Sequence, residues 1–212
     1  MTDLLEQYIL DRIDPEGPYL QKLNRDTHVK VIQARMCSGH LQGRILKMIC
    51  QLVQPRYILE LGTFTGYSAL CMAEAIADDP QAELHTVDID DEMAEFTRPV
   101  FEGSGYADKI HYHIGDALEV IPTLDRQFDV VFIDADKRSY SEYFDLVFDK
   151  VRKGGLIIAD NTLWDGKVVQ DPLPKDGQSV GIMDFNDKIA ADDRVEKVIL
   201  PIRDGMTLIR KK

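Results

Sequence analysis

The chain lacks three features that would assign it at once to a large class of proteins. It has no apolar run of membrane-spanning length. Its N-terminus lacks the basic stretch and following apolar stretch of a secretory signal. Its cysteines, Cys37, Cys50 and Cys71, do not have metal-binding spacing. We therefore expect a cytoplasmic protein without a membrane segment, in which the thiols stay reduced and mostly buried.

Positive charge is also scarce. The chain has 25 Lys and Arg against 37 Asp and Glu, which gives a net charge of −12. Proteins that hold nucleic acid without sequence preference need clustered Lys and Arg, and the one such cluster is the tail Arg210-Lys211-Lys212. The acidic balance disfavours a nucleic-acid substrate without excluding one, because folding can assemble a local basic patch.

The length of 212 residues allows a full core, and we expect a single domain over 1–212. Its first part, 1–54, has apolar residues at helical spacing and predicts N-terminal helices over 3–13, 18–35 and 40–53.

From residue 55 onward, β-type and helical patterns alternate along the chain. This alternation predicts an α/β core over 55–212 with a doubly wound, mostly parallel sheet. Asp204-Gly205 lies between the last two β-type runs and predicts an antiparallel hairpin at the end. A loop over 162–183, followed by a helix at 184–191, is long enough to suggest a functional role. The seven predicted strands are 57–61, 83–87, 109–114, 128–133, 156–159, 195–202 and 206–210.

A glycine turn follows the first predicted strand, in Glu60-Leu61-Gly62-Thr63-Phe64-Thr65-Gly66-Tyr67-Ser68. A strand, glycine loop and helix in succession bring backbone N–H groups to a bound ligand. Asp88 ends the second strand, where a carboxylate can bind both ribose hydroxyls. It lies 26 residues beyond Gly62 (88 − 62), and the third glycine of G-x-G-x-x-G is absent. Since a dinucleotide fold places that acid about 20 residues on, the pattern favours another nucleoside cofactor over NAD.

Acidic residues mark the ends of five predicted strands, the edge at which open α/β sheets bind ligands. Asp134, Asp160 and the following Asn161 supply two carboxylates and an amide oxygen. This oxygen set is too small to fill an octahedron and suits Mg²⁺, or Mn²⁺ or Ca²⁺ in its place. From spacing alone, a solvated aspartate followed by an asparagine turn is an equal interpretation, and Asp116 is equally explained as a helix N-cap. The acids are Glu60, Asp88, Asp116, Asp134 and Asp160.

Five separated motifs occur in one order: the turn Glu60–Ser68, Asp88, Gly115-Asp116-Ala117, Asp134-Ala135-Asp136-Lys137 and Asp160-Asn161-Thr162-Leu163-Trp164. In order and spacing they resemble the cation-dependent O-methyltransferases, the catechol and caffeoyl-CoA O-methyltransferase-like enzymes that use S-adenosylmethionine. The resemblance extends from about Met36 to Arg210. It implies a Rossmann-like methyltransferase fold and, as in similar enzymes, a homodimer contact through the helices of 3–35.

The resemblance also implies a role for individual residues. Lys137 would be the catalytic base, because a lysine beside a divalent cation and a sulfonium loses affinity for its proton. The cation would be held by Asp134, Asp160 and Asn161. The residues implied to bind S-adenosylmethionine are Ser38, Glu60, Gly62, Thr63, Ser68, Asp88, Ala117 and Asp134.

We therefore expect divalent-cation-dependent methyl transfer to a vicinal-dihydroxy, catechol-like small molecule. Trp164 and Asp165 follow the cation ligands directly and, with Asp136, are expected to line the acceptor site. Asp165 departs from the asparagine common in the plant caffeoyl-CoA enzymes. The alternatives are a tRNA hydroxyuridine O-methyltransferase of the same fold and an NAD-dependent Rossmann oxidoreductase.

His111 and His113 share one face of the third predicted strand. Metal binding there is disfavoured on sequence alone, since isolated strand histidines rarely ligate a metal.

Overall fold

A seven-stranded sheet with helices on both faces forms the centre of the computed structural model, which describes residues 3–212. The strand order is β3-β2-β1-β4-β5-β7-β6. Strands β1 to β5 pair in parallel, and β7 pairs antiparallel with both β5 and β6. This arrangement confirms the predicted fold class, including the final hairpin. The strands are β1 (Tyr57–Leu61), β2 (Glu83–Asp88), β3 (Ile110–Ile114), β4 (Phe128–Ile133), β5 (Val151–Asp160), β6 (Val195–Leu200) and β7 (Met206–Lys211).

The helices pack on the two faces of this sheet in separate cores. One face covers Ile58 of β1 with α3, α4 and α5, and the other covers Leu59 with α6, α7 and α8. Successive strand residues point to opposite faces, so a sheet covered on both sides needs continuous apolar strands. The α-helices are α1 (Asp3–Leu10), α2 (Pro18–Lys30), α3 (Gly39–Val53), α4 (Tyr67–Ala75), α5 (Ala94–Glu102), α6 (Ala117–Thr123), α7 (Tyr140–Lys150) and α8 (Gly177–Ala191).

Three boundaries differ from the sequence prediction by five residues or more. Helix α2 ends at Lys30 rather than 35, because Val31 is extended. Strand β5 begins at Val151 rather than 156, because Val151 pairs with Phe128 and Arg152 Nε donates to Asp129 Oδ1 of β4 at 2.5 Å.

Helix α8 begins seven residues earlier than predicted, at Gly177, and shortens the predicted loop 162–183. Asp176 caps it by accepting a hydrogen bond from the Ser179 backbone N–H at 3.0 Å. Its two glycines disfavour a helix in isolation, but a Cβ on Gly181 would lie 2.4 Å from the Lys137 carbonyl oxygen. Close packing against this backbone therefore outweighs helix propensity.

The three thiols are free and buried, as predicted. No helix within residues 3–212 combines the length and apolar character that crossing a membrane requires. The division at residue 54 and the single-domain organisation stay predictions.

Candidate active site

The glycine turn predicted to hold the cofactor lies directly against the end of β4. Gly62 has φ +99°, and a Cβ there would lie 2.0 Å from the Asp134 carbonyl oxygen. Gly66 has φ +85°, and its Cβ would lie 2.5 Å from the Phe101 ring. Both positions therefore require glycine, because a side chain would be strained by the backbone and blocked by a neighbour. The turn and Asp134, distant in sequence, are thus in contact.

Glu60 lies beneath this turn and has no exposed surface. Ser68 Oγ donates to its Oε1 and Thr86 Oγ1 to its Oε2, each at 2.5 Å, and the Thr63 hydroxyl is 2.6 Å from that of Thr86. Burial raises the pKa of Glu60 to about 8 against these hydrogen bonds, with a further contribution from Asp134 and Asp88. The turn therefore lies on a buried carboxyl group that accepts hydrogen bonds from Ser68 of α4 and Thr86 of β2.

Asp88 and Ala117 lie beside the turn, at the ends of β2 and β3. The Phe64 N–H donates to Asp88 Oδ2 at 2.7 Å and the Asp90 N–H to Oδ1 at 3.0 Å. A carboxylate has about four acceptor positions, so Asp88 retains capacity for ribose hydroxyls. Asp116 accepts from the Leu118 N–H at 2.9 Å and therefore acts as the N-cap of α6, whose first residue is Ala117.

The predicted cation ligands follow neighbouring positions of β4 and β5. Ile133 pairs with Ala159, and Asp134 and Asp160 are the next residues of the two strands. Asp160 is buried, and both its burial and the charge of Asp134 raise its pKa to about 6. Asn161 follows in the left-handed region, with φ +58°. Two carboxyl groups that repel each other, with an amide beside them, have the donor chemistry of a divalent cation site.

Lys137 begins a short 3₁₀ helix, Lys137–Ser139, directly after this edge of the sheet. Its Nζ donates to Asp134 Oδ1 at 2.7 Å, and its side chain is buried. Burial lowers the pKa of Lys137, but the nearby Tyr140 and Asp134 outweigh it, so the net pKa lies above its usual range. The protein's own groups thus keep Lys137 protonated, which is opposite to the effect expected from a neighbouring cation and sulfonium.

Gln42 and Arg203 complete the site and were not found from the sequence. Gln42 Nε2 on α3 donates to Asp160 Oδ2 at 2.7 Å. Arg203, in the turn between β6 and β7, donates from Nη1 to Gln42 Oε1 at 2.7 Å and to the carbonyl oxygen of Ser38. A chain of hydrogen bonds therefore runs from the final hairpin through α3 to a predicted cation ligand. No local pattern marks these two residues, since the contact joins positions 161 apart.

The remaining predicted residues surround this centre. Ser38 is buried at the start of α3, where its carbonyl is held by Arg203. Asp136 is paired with Arg138 Nε at 3.0 Å. Trp164 Nε1 donates to Ser179 Oγ of α8 at 3.0 Å, which fixes the indole orientation. Asp165 is exposed, and its N–H donates to Asp204 of the hairpin turn.

Comparison with known proteins identifies the family of this chain. The sequence profile of the O-methyltransferase family matches residues 11–212. The chain is 36% identical over 222 residues to caffeoyl-CoA O-methyltransferase 5 of Nicotiana tabacum, covering 99% of this chain and 92% of the relative. It is also 36% identical to caffeoyl-CoA O-methyltransferase of Eucalyptus gunnii, covering 99% and 88%.

Solved structures extend this similarity to the fold and the cofactor. The O-methyltransferase from Bacillus cereus in complex with SAH superposes with a TM-score of 0.90 at 27% identity, covering 99% of this chain and 97% of that one. The O-methyltransferase TomG from Streptomyces achromogenes in complex with SAM superposes with a TM-score of 0.90 at 29% identity, covering 99% and 96%. The chain is therefore an S-adenosylmethionine-dependent O-methyltransferase and belongs to the O-methyltransferase family that contains the caffeoyl-CoA enzymes.

Proposed function

We propose that this enzyme methylates one hydroxyl of a vicinal-dihydroxy aromatic small molecule and depends on a divalent cation, with Mg²⁺ preferred over Mn²⁺ or Ca²⁺. The observation that carries the proposal is the juxtaposition of Asp134 and Asp160-Asn161 at the ends of paired strands, with Lys137 bonded to Asp134. An acceptor with two adjacent oxygens suits a cation held by only three protein groups, because open coordination positions remain.

The residues present fit such a cation. Asp134, Asp160 and Asn161 would hold it, because they offer two carboxylates and an amide oxygen from the ends of two paired strands. When bound, the cation would act as a Lewis acid on the acceptor hydroxyl, and S-adenosylmethionine would supply the methyl group.

The protein's own residues align the reactants and manage one proton. Lys137 Nζ, held at 2.7 Å from Asp134 Oδ1, is the group placed to take the hydroxyl proton once positive charge near Asp134 weakens that ion pair. Glu60, Gly62, Thr63 and Ser68 of the turn, together with Asp88 beside it, would position the methyl donor, and Ser38 and Ala117 are proposed to contact it as well.

Trp164, Asp165 and Asp136 are proposed to contact the acceptor. Trp164 has one defined orientation, fixed by Ser179, and can present its ring to an aromatic substrate. The relatives of this chain named above are caffeoyl-CoA O-methyltransferases. The net charge of −12 nevertheless disfavours a polyanionic coenzyme A ester as the substrate of this enzyme. We therefore place free catechols ahead of coenzyme A thioesters.

The test is methyl transfer from labelled S-adenosylmethionine to paired substrates, caffeic acid and caffeoyl-CoA, each with Mg²⁺ and with a chelator. We expect product from the free catechol, loss in chelator and recovery on adding Mg²⁺. Equal turnover in chelator would overturn the cation requirement, and turnover of the thioester alone would overturn the substrate class. Guaiacol, which has one of the two oxygens already methylated, is the matched control and should not react.

The sequence also allowed two alternative functions, an NAD-dependent oxidoreductase and a tRNA methyltransferase. The S-adenosylmethionine family assignment leaves no support for an NAD-dependent oxidoreductase. A tRNA hydroxyuridine substrate belongs to the same fold, and the net charge of −12 disfavours it. Unmodified and hydroxylated tRNA in the same assay would reveal it as salt-sensitive methyl incorporation.

We also propose a homodimer through the N-terminal region. This region exposes large apolar side chains, since Val29, Ile32 and Leu52 are 74%, 101% and 77% exposed. Exposed apolar surface of this kind is typical of a protein–protein contact. Analytical ultracentrifugation should show a dimer that Ile32→Lys with Leu52→Lys dissociates. A wild-type monomer at micromolar concentration would reject the proposal.

A further inference from the structure

A second cluster of metal-type ligands lies at the opposite end of the sheet from the active site. Glu83 and His85 alternate on β2, and His111 is the Cα partner of His85 on the edge strand β3. Their ligand atoms all lie within 4.8 Å of one another. Along β2, at about 3.3 Å per residue, Glu83 lies about 16 Å and His85 about 10 Å from Asp88 at the other end of the strand.

His85 has one ring nitrogen without a hydrogen-bond partner. Its side chain is buried, and Nε2 is inaccessible and makes no hydrogen bond within the described residues. The other nitrogen, Nδ1, lies 3.0 Å from Nε2 of His113. In the tautomer in which His85 Nδ1–H donates to His113, Nε2 of His85 directs a lone pair toward Glu83. This is the pattern of a metal-binding histidine whose tautomer is set by a neighbour.

Two of the three separations between ligand atoms are near those of tetrahedral coordination. His85 Nε2 is 3.5 Å from Glu83 Oε2, which is 3.9 Å from His111 Nε2. Metal bonds of about 2.0–2.1 Å at tetrahedral angles place ligand atoms about 3.4 Å apart. The first separation is close to this value, and the second is about 0.5 Å longer. The rings of His85 and His111 are stacked with their centroids 4.7 Å apart, so the exposed His111 also has to turn for both nitrogens to reach one ion.

We propose that Glu83, His85 and His111 bind a borderline transition-metal ion, Zn²⁺ in the first instance. Two imidazoles and a carboxylate suit Zn²⁺ and not Mg²⁺, so this site differs in metal class from the active site. His111 is 47% exposed at its side chain, which leaves an open side for a water molecule as the fourth ligand. The ion would join β3, the edge strand, to β2.

Arg126 is the group that competes for Glu83. Its Nε lies 3.5 Å from Glu83 Oε2, and its side chain is 43% exposed. A surface ion pair of this length contributes little, so a divalent ion can replace it while Arg126 turns to solvent. The interaction of Arg126 with the Tyr57 ring, 5.4 Å away, can keep the guanidinium nearby.

The experiment is a Zn²⁺ titration of the full chain saturated with Mg²⁺, followed by calorimetry. We expect one Zn²⁺ equivalent that Mg²⁺ does not displace. His111→Ala and Glu83→Gln should weaken it at least tenfold, whereas His28→Ala, which removes an exposed histidine of α2, should not change it. Asp160→Ala should also leave it unchanged, which separates this site from the active site whatever the latter binds.

Co²⁺ in place of Zn²⁺ provides an independent spectroscopic readout. We expect visible d–d bands of a four-coordinate nitrogen and oxygen site, absent in His111→Ala. Absence of a Zn²⁺ equivalent, its loss in Asp160→Ala, its survival in His111→Ala, or thiolate charge-transfer bands from the buried cysteines would each overturn the proposal.

Discussion

The two ends of the central sheet carry contrasting clusters. At the carboxyl end, Asp160 is buried and Asp134 half-buried, and they are held by Gln42 from a distant helix and by the nearby Lys137. At the amino end, Glu83, His85 and His111 come from two adjacent strands, with His85 buried and His111 exposed. Buried carboxylates repel each other and need donors from elsewhere, whereas neutral imidazoles can line up along strands without support. The active end therefore depends on the whole fold, and the other end on one strand pair.

Of the changes that test this comparison, removing a predicted cation ligand should lower methyl transfer the most. Asp160→Ala deletes a carboxylate and should lower kcat/KM by about 1,000-fold or more, since a catalytic cation supplies several kcal/mol. Methyl transfer with Mg²⁺ measures this. Asp187→Ala, which removes an exposed acid on α8, is the matched control and should keep wild-type activity. Wild-type turnover by Asp160→Ala would contradict the assignment.

Lys137→Met should give the next largest effect. The variant keeps the length of the side chain and removes the proton acceptor, so the single-turnover rate should fall about 100- to 10,000-fold. Affinity for S-adenosylmethionine, measured by calorimetry, should stay nearly unchanged. Lys153→Met changes an exposed lysine and should leave both quantities unaltered. An unchanged single-turnover rate in Lys137→Met rejects this residue as the base.

Gln42→Leu tests whether the active end depends on distant segments. Without its amide, Asp160 Oδ2 loses a donor, and affinity for Mg²⁺ should fall about 10- to 100-fold. Activity should recover at saturating Mg²⁺, because Gln42 positions a ligand and does not react. Arg203→Leu should have a smaller effect in the same direction, since Arg203 acts through Gln42. A lower kcat that no Mg²⁺ concentration restores would contradict a positioning role.

Glu60→Gln should act on the pH dependence of stability rather than on the reacting groups. The folded protein holds the Glu60 proton up to a pKa of about 8, whereas the unfolded chain releases it near 4.5. Unfolding therefore releases a proton, and stability falls as pH rises from about 4.5 to 8 by up to about 1.4 kcal/mol per pH unit. Subtracting the variant's urea unfolding free energies from those of the wild type, without cofactor or cation, isolates this slope. Parallel curves for the two proteins would show that Glu60 is ionised when folded.

Local signals were sufficient for the order of strands and helices and for the glycine turn. They failed where packing decides. The start of α8 depends on Gly181 fitting against the Lys137 backbone, and the start of β5 on pairing between Val151 and Phe128. The grouping of Glu83, His85 and His111 was also not visible from the sequence, because β3 alone shows His111 and His113 without the Glu83 and His85 beside them.

The sequence by itself determined the α/β class, the antiparallel final hairpin and the O-methyltransferase resemblance, because these rest on periodicity and on motifs within short segments. Only the tertiary structure decided that Arg203 and Gln42 support Asp160, that Gly62 lies against Asp134, and that Glu83 faces two histidines. Contacts between remote positions depend on strand register and helix packing, which no single segment of sequence encodes.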